Sequence, residues 1–185
     1  TSNIMVGVEP TVFSPFGLLT EEQAATLAAR LRAALAGETI PEAKPGELWY
    51  APMLSYLEDL ELGITPGIWA TRGRFLEMLG AVLDDSQLPP IQEISFLPDT
   101  NDENVLRFFR AGILTGMDPY GTFSPSRTLS RAEAAAMVAR IIRPEMRVLS
   151  QLADYTPFLA ARTTPSTAFF TNGVTAEKYL KEVNE

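Results

Sequence analysis

Apolar residues recur at helical spacing in several stretches of the chain, each opened by a residue suited to cap a helix. Ala24, Leu27, Ala28 and Leu31 mark one face of a helix that Thr20 and Gln23 can open as a capping box. Ala134, Met137, Val138, Ile141 and Ile142 repeat the pattern after Ser130 and Glu133, and Pro144 stops that helix. Between these, Pro52 suits the first turn of a helix to about Leu62, and Thr71 caps another to about Leu83. Asn101 or Asp102 caps one to about Arg110, which Gly112 closes in the left-handed region. The stretch holding Gly116, Pro119, Gly121 and Pro125 is too rich in breakers for regular structure. These helices are amphipathic and too short to stand alone, so they must share a core.

The pattern repeats. Gly7, Pro10, Phe13, Ser14, Pro15, Leu19, Ala24, Ala25, Ala29 and Arg30 match Gly116, Pro119, Phe123, Ser124, Pro125, Leu129, Ala134, Ala135, Ala139 and Arg140, ten identities in one short window. A weaker copy lies between them. Gly63, Ile64 and Gly67 answer to Gly112, Ile113 and Gly116, and Thr71, Arg72 and Met78 answer to Ser130, Arg131 and Met137, with about ten loop residues missing. The expected fold is therefore all-α. Three helix-loop-helix units pack as a compact helical bundle: residues 1–37 (loop and second helix only), 46–86 and 90–145. Residues 146–185 form a C-terminal segment with a short irregular, strand-containing tail.

Composition narrows the chemistry. With no histidine and no cysteine, imidazole and thiolate catalysis, the usual structural zinc sites and iron–sulfur ligation are excluded. The 23 acidic against 15 basic side chains give a net charge of −8, which disfavours a broad surface for nucleic acid or anionic membrane. An anionic partner would need a local arginine pocket. No apolar run is long enough to span a membrane; Ala134 to Ile142, interrupted by Arg140, reads as a core helix. The chain opens at Thr1 without a charged-then-apolar leader, so a signal peptide is expected to be absent or already removed. Residues 99–104 are acidic but lack the glycine at the sixth position of a calcium loop, and Arg110 stands where the bidentate Glu is required. No metal or cofactor is expected.

One family pattern runs through the third copy. Phe96-Leu97-Pro98-Asp99, Ala111-Gly112-Ile113-Leu114-Thr115-Gly116, Gly121-Thr122-Phe123-Ser124-Pro125 and Ser130-Arg131-Ala132-Glu133 occur in order at the spacing of an S-layer homology repeat. Trp49-Tyr50-Ala51-Pro52, Gly63-Ile64 and Thr71-Arg72 resemble the same pattern in the middle copy, and the likeness covers roughly residues 4–145. The resemblance implies a three-repeat module, without catalytic residues, on the bacterial cell surface. Such a module holds a secreted protein non-covalently to an anionic, often pyruvylated, secondary wall polysaccharide.

In the family, the arginine at the second-helix start lies in a groove between repeats and meets the anionic substituent. Carried over by position, this is Arg131 in the third copy, as principal contact, and Arg72 in the middle one; Glu21 occupies the place in the first. A guanidinium there would have its fork free for a carboxylate, with helix-end amides and dipole adding to it. Ser130 and Thr71 can serve the cap or the sugar, Trp49 can stack on a sugar face, and Asp118 and Gly116 lie on the loop beside the groove. Glu21, the replacement of Glu133 by Arg74 in the middle copy, and the truncated middle loop depart from the pattern, so at most two of three grooves look competent.

Each feature also has a plain structural reading. Arg131 and Arg72 could form surface pairs, and Glu133 and Gln23 are capping-box partners before they are ligands. Phe13 and Phe123 read as core anchors that pin the loop, and Trp49 is either an anchor or a platform. A module with decayed sugar sites would be a helical scaffold for dimerisation, recognisable by an apolar surface patch. Tyr155-Thr156-Pro157-Phe158-Leu159 echoes Tyr50-Ala51-Pro52-Met53-Leu54, so residues 150–162 could supply the leading helix that the first copy lacks. Residues 163–167 look like a linker. The strand, Asn172-Gly173 turn and Thr175-capped helix that follow resemble the opening of secreted parvulin-type foldases, which would make the chain the accessory part of a larger protein.

Overall fold

The computed structural model describes residues 4, 5 and 13–153, and by its contacts the chain divides into two units, Thr1–Gln151 and Leu152–Glu185. The echo of a leading helix in residues 154–162, the linker and the foldase-like tail lie outside the described residues, as do Gly7 and Pro10.

The described residues are all-α. Five α-helices follow in order: α1 (Glu21–Ala36), α2 (Ala51–Tyr56), α3 (Arg72–Val82), α4 (Glu103–Arg110) and α5 (Arg131–Ile142). The capping boxes expected at α1 and α5 are formed: Gln23 accepts from the Thr20 N–H at 3.1 Å and Glu133 from the Ser130 N–H at 3.0 Å. Thr71 accepts from the Arg74 N–H at 3.1 Å. Ala24, Ala25, Ala28 and Ala29 on α1 are wholly buried, and so are Phe75, Met78 and Leu79 on α3. Small against large lets the two backbones approach closely, burying about 2 kcal/mol of apolar free energy per large side chain. Gly80 does the same job between α3 and α4, where a Cβ would stand 2.5 Å from the Asn104 side chain. Asn104 uses that proximity to donate to the Leu76 carbonyl.

One element departs from expectation. The helix from Pro52 stops at Tyr56, and a short 3₁₀ turn (Glu58–Leu60) continues the chain. Arg32 of α1 explains it, because its guanidinium takes the released Tyr56 carbonyl at 3.2 Å and grips both oxygens of Asp59 at 2.7 Å.

What organises the fold is a closed ring. The three residues preceding the N-caps of α1, α3 and α5 bond in a cycle: Leu19 N–H to Leu129 O at 3.1 Å, Leu129 N–H to Ala70 O at 2.9 Å, and Ala70 N–H to Leu19 O at 2.8 Å. Isolated bridges Leu18–Ser130, Thr20–Trp69 and Thr71–Thr128 flank these bonds, and all three ring residues are buried. Ser14-Pro15, Thr65-Pro66 and Ser124-Pro125 each begin six residues before the N-cap of their arm. The middle copy therefore keeps this end of its loop and loses residues only ahead of it.

Candidate functional site: the grooves between repeats

The ring sets each second helix against the neighbouring loop. Its first N–H goes to the next arm: Glu21 to Ile68 O at 2.8 Å, Arg72 to Arg127 O at 2.9 Å, and Arg131 to Gly17 O at 2.8 Å. The second N–H of α3 donates to Pro125 O at 2.9 Å, and that of α5 to Pro15 O at 3.0 Å. The helix-end amides expected to meet an anion at Arg72 and Arg131 are thus already used between repeats, which corrects that part of the sequence reading.

The arginine side chains are built in as well. Arg72 is 5% exposed and Arg131 7%. The Arg72 Nε donates to Phe123 O at 2.8 Å, with the guanidinium 5.2 Å from the Phe123 ring centre. Arg131 repeats this on Phe13, at 2.9 Å and 5.2 Å. Phe123 is buried as an anchor, whereas Phe13 remains 40% exposed. Arg72 Nη1 also donates to Glu133 Oε1 at 2.8 Å, so its fork is not free. Burial first, and repulsion from Arg127 second, lower the Arg72 pKa to about 10, with Asp99 opposing. The group stays charged at neutral pH, held in a setting that favours an added anion.

Glu21, the acidic substitute in the first copy, grips the corresponding peptide by its other end. Where Arg72 takes the Phe123 carbonyl, Glu21 Oε2 accepts from the Thr65 N–H at 2.9 Å. Its other oxygen faces Arg74 Nε at 3.4 Å. Glu22 accepts from Gly67 N–H at 3.0 Å, and Arg74 donates to the carbonyls of Leu62 and Gly63. The two departures from the repeat pattern compensate each other, and together they pin the shortened middle loop.

The remaining candidates divide. Gly116 lines the groove between the second and third copies; its φ of 77° and a hypothetical Cβ 2.5 Å from Gly121 Cα leave only glycine there. Ser130 and Thr71 act as caps, Ser130 Oγ donating also to Glu133 Oε2 at 2.7 Å. Asp118 folds its own loop, accepting from the N–H groups of Tyr120 and Thr122 and from the Thr122 hydroxyl; that hydroxyl, then the backbone bonds, hold its carboxyl below the ordinary value. Trp49 is half exposed, edge-on to Tyr50, and is not among the residues lining the groove. In the acidic stretch Asp99 clamps the Phe123 and Ser124 N–H groups at 2.9 and 2.6 Å, and Asp102 caps α4.

The groove that contains Arg72 has a volume of about 270 Å³. The 113–117 loop, Glu133, Ala136, Met137 and Arg140 complete its walls. Arg140 donates to Ile113 O at 2.8 Å, and Arg127 joins Arg72 on Glu133 Oε1. Two guanidinium groups thus share one oxygen of Glu133, and a third, that of Arg140, lines the same groove while bonded to the Ile113 carbonyl. Sequence reading missed Arg127 and Arg140 at this groove, because only the bond between the Leu129 and Ala70 arms of the ring brings Arg127 against Arg72. A larger cleft, about 520 Å³, at the far end of α1 is lined by Arg30, Glu38, Ile40 and Met53 and holds none of the motif residues. Neither a scan against protein-family models nor a search of curated proteins finds a match to this chain.

Proposed function

We propose that the chain is a non-catalytic carbohydrate-binding anchor of the S-layer homology type, holding a secreted protein to the bacterial wall through an anionic secondary wall polysaccharide. One observation carries the reading: within a chain of net charge −8, Arg72 and Arg127 share the Glu133 carboxylate at the groove between the second and third copies, and Arg140 lines that groove beside the glycine loop of Gly116. Excess local positive charge in a walled groove recruits an anion where the surface at large repels one. Arg72 is the principal contact of this reading, with Gly116 and Arg140 as walls. The Arg131 position is the second groove.

The test is co-sedimentation with purified wall sacculi before and after extraction of their secondary polymer. Retention only on unextracted walls supports anchoring, and absence of retention on either overturns it.

A scaffold remains the rival because Phe16, Leu18, Ile68 and Trp69 are exposed on the ring segments of the first two copies, Phe16 at 90%. Concentration-dependent self-association, reduced by Phe16→Ser and Trp69→Thr together, would favour it. Those replacements are near the third copy's own residues, Ser126 and Thr128. Among the described residues no helix is long and apolar enough to cross a membrane.

A further inference from the structure

The motif explains Arg72 and Glu133, but it does not explain Arg127. The equivalent positions in the other arms are Gly17 and Ile68, so this guanidinium is peculiar to the groove between the second and third copies. Its backbone is fixed by the ring, with the N–H donating to Ser124 O at 3.1 Å and the carbonyl accepting from Arg72. The side chain is held less firmly. It is 38% exposed, its Nε points at the thioether of Met117, and its Nη2 shares one oxygen of Glu133 with Arg72. A thioether is a weak acceptor, and one carboxylate shared by two cations supplies less than one compensating negative charge to each. Glu133 is in turn committed through its other oxygen to the Ser130 N–H and hydroxyl, so it cannot swing to follow either arginine.

We propose that Arg127 is the specificity-determining cation of this groove: an incoming oxyanion, carboxylate or phosphate, draws it off Glu133 and is bridged between Arg72 and Arg127. Glu133 acts as a built-in competitor that keeps the two guanidinium groups in place while lowering the affinity for stray anions. This inference rests on the reading of the groove as an anion site. The geometry of two converging planar forks suits a bidentate carboxylate best, while a phosphate accepts a point charge equally well. The ligand's source is immaterial to the claim; its oxyanion is what the groove reads.

Two substitutions separate the roles of the two charges, each variant being checked for the wild-type amide spectrum before it is titrated. Glu133→Gln keeps the capping acceptor, as Gln23 shows at the same position of α1, and removes the charge. Arg127→Gln removes the cation at a position where the other arms carry Gly17 and Ile68. The probes are sodium acetate and inorganic phosphate, titrated at constant ionic strength against sodium chloride, with the arginine Nε–H signals read by NMR. In the unmodified chain the Arg72 and Arg127 signals are expected to move together with acetate and with phosphate at millimolar concentration, and not with chloride. Arg127→Gln should weaken binding about tenfold while the Arg72 signal still responds, and Glu133→Gln should tighten it several-fold. Arg127→Lys should restore phosphate binding but not acetate binding if the carboxylate is held by both forks. Equal affinity in Arg127→Gln and the unmodified chain overturns the role of Arg127 and leaves the groove reading standing. Arg72 and Arg127 signals that never move in the unmodified chain overturn both.

Discussion

Glu21 and Arg74 face each other at 3.4 Å across the first and second repeats, as Arg72 and Glu133 do at 2.8 Å across the second and third, with the charges exchanged. In both pairs the first residue opens one helix and the second stands two positions into the next. The acidic residue that looked like a damaged binding site is half of a conserved geometry of opposite polarity within this one chain.

That pairing has a measurable coupling. Glu21→Arg or Arg74→Glu alone places like charges together beside a loop that both residues hold, and each should lower stability by about 1–2 kcal/mol. The double exchange restores the opposite charges but not the bonds to Thr65, Leu62 and Gly63, so in a urea-denaturation cycle it should lose less than the two single changes summed. Strict additivity would mean that the pair is incidental to the fold.

Arg72 is a heavier element. Arg72→Ala removes a buried donor from Phe123 O and from Glu133, so we expect a loss of about 2–4 kcal/mol in thermal or urea unfolding. Arg72→Lys should recover only part of it, because one ammonium cannot serve the carbonyl and the carboxylate in the guanidinium's fixed geometry. A change under 0.5 kcal/mol for Arg72→Ala would contradict its role as a staple between repeats.

Local order was largely written in the sequence, and order between repeats was not. Thr20 with Gln23 and Ser130 with Glu133 lie three residues apart, and their boxes follow from spacing alone. The buried faces of α1 and α5 follow in the same way from helical periodicity. The ring of Leu19, Ala70 and Leu129 joins residues as far apart as 19 and 129, and nothing local marks Ala70 as the partner of either leucine. Arg32, which ends α2 early, acts from 24 positions away. The candidate site was legible in its residue types, since Arg72 and Gly116 do meet in one groove. Its electrostatics was not, because the sequence could not show that Arg72 is clamped on Phe123 O or that Arg127 shares Glu133.

Gly116 offers a steric test. Its left-handed backbone and the approach of Gly121 leave no room for a methyl, so Gly116→Ala should cost about 2–3 kcal/mol and disturb the 113–117 loop amides. Gly37, also left-handed but with nothing near its Cβ position, should lose less, about 1 kcal/mol.

The Asp118 loop should respond to acid. Hydrogen bonds to Thr122 and its neighbours lower the folded carboxyl pKa beneath the ordinary 3.8. Because the folded state binds this proton less readily than the unfolded one, the contribution is complete above about pH 4. It is lost as pH falls through the folded value. The amide shifts of Tyr120 and Thr122 should therefore stay constant from neutral pH down to that point and change only below it. A midpoint above the ordinary value would contradict the loop-closing role.

The most direct test of the anchor reading is a titration of the labelled chain with purified secondary wall polymer, in its native form and with its anionic substituents removed. The native polymer should shift the Arg72 Nε–H and the Gly116 amide together, and the stripped polymer should shift neither. Binding that leaves both signals unmoved, or that persists unchanged with the stripped polymer, would contradict that reading.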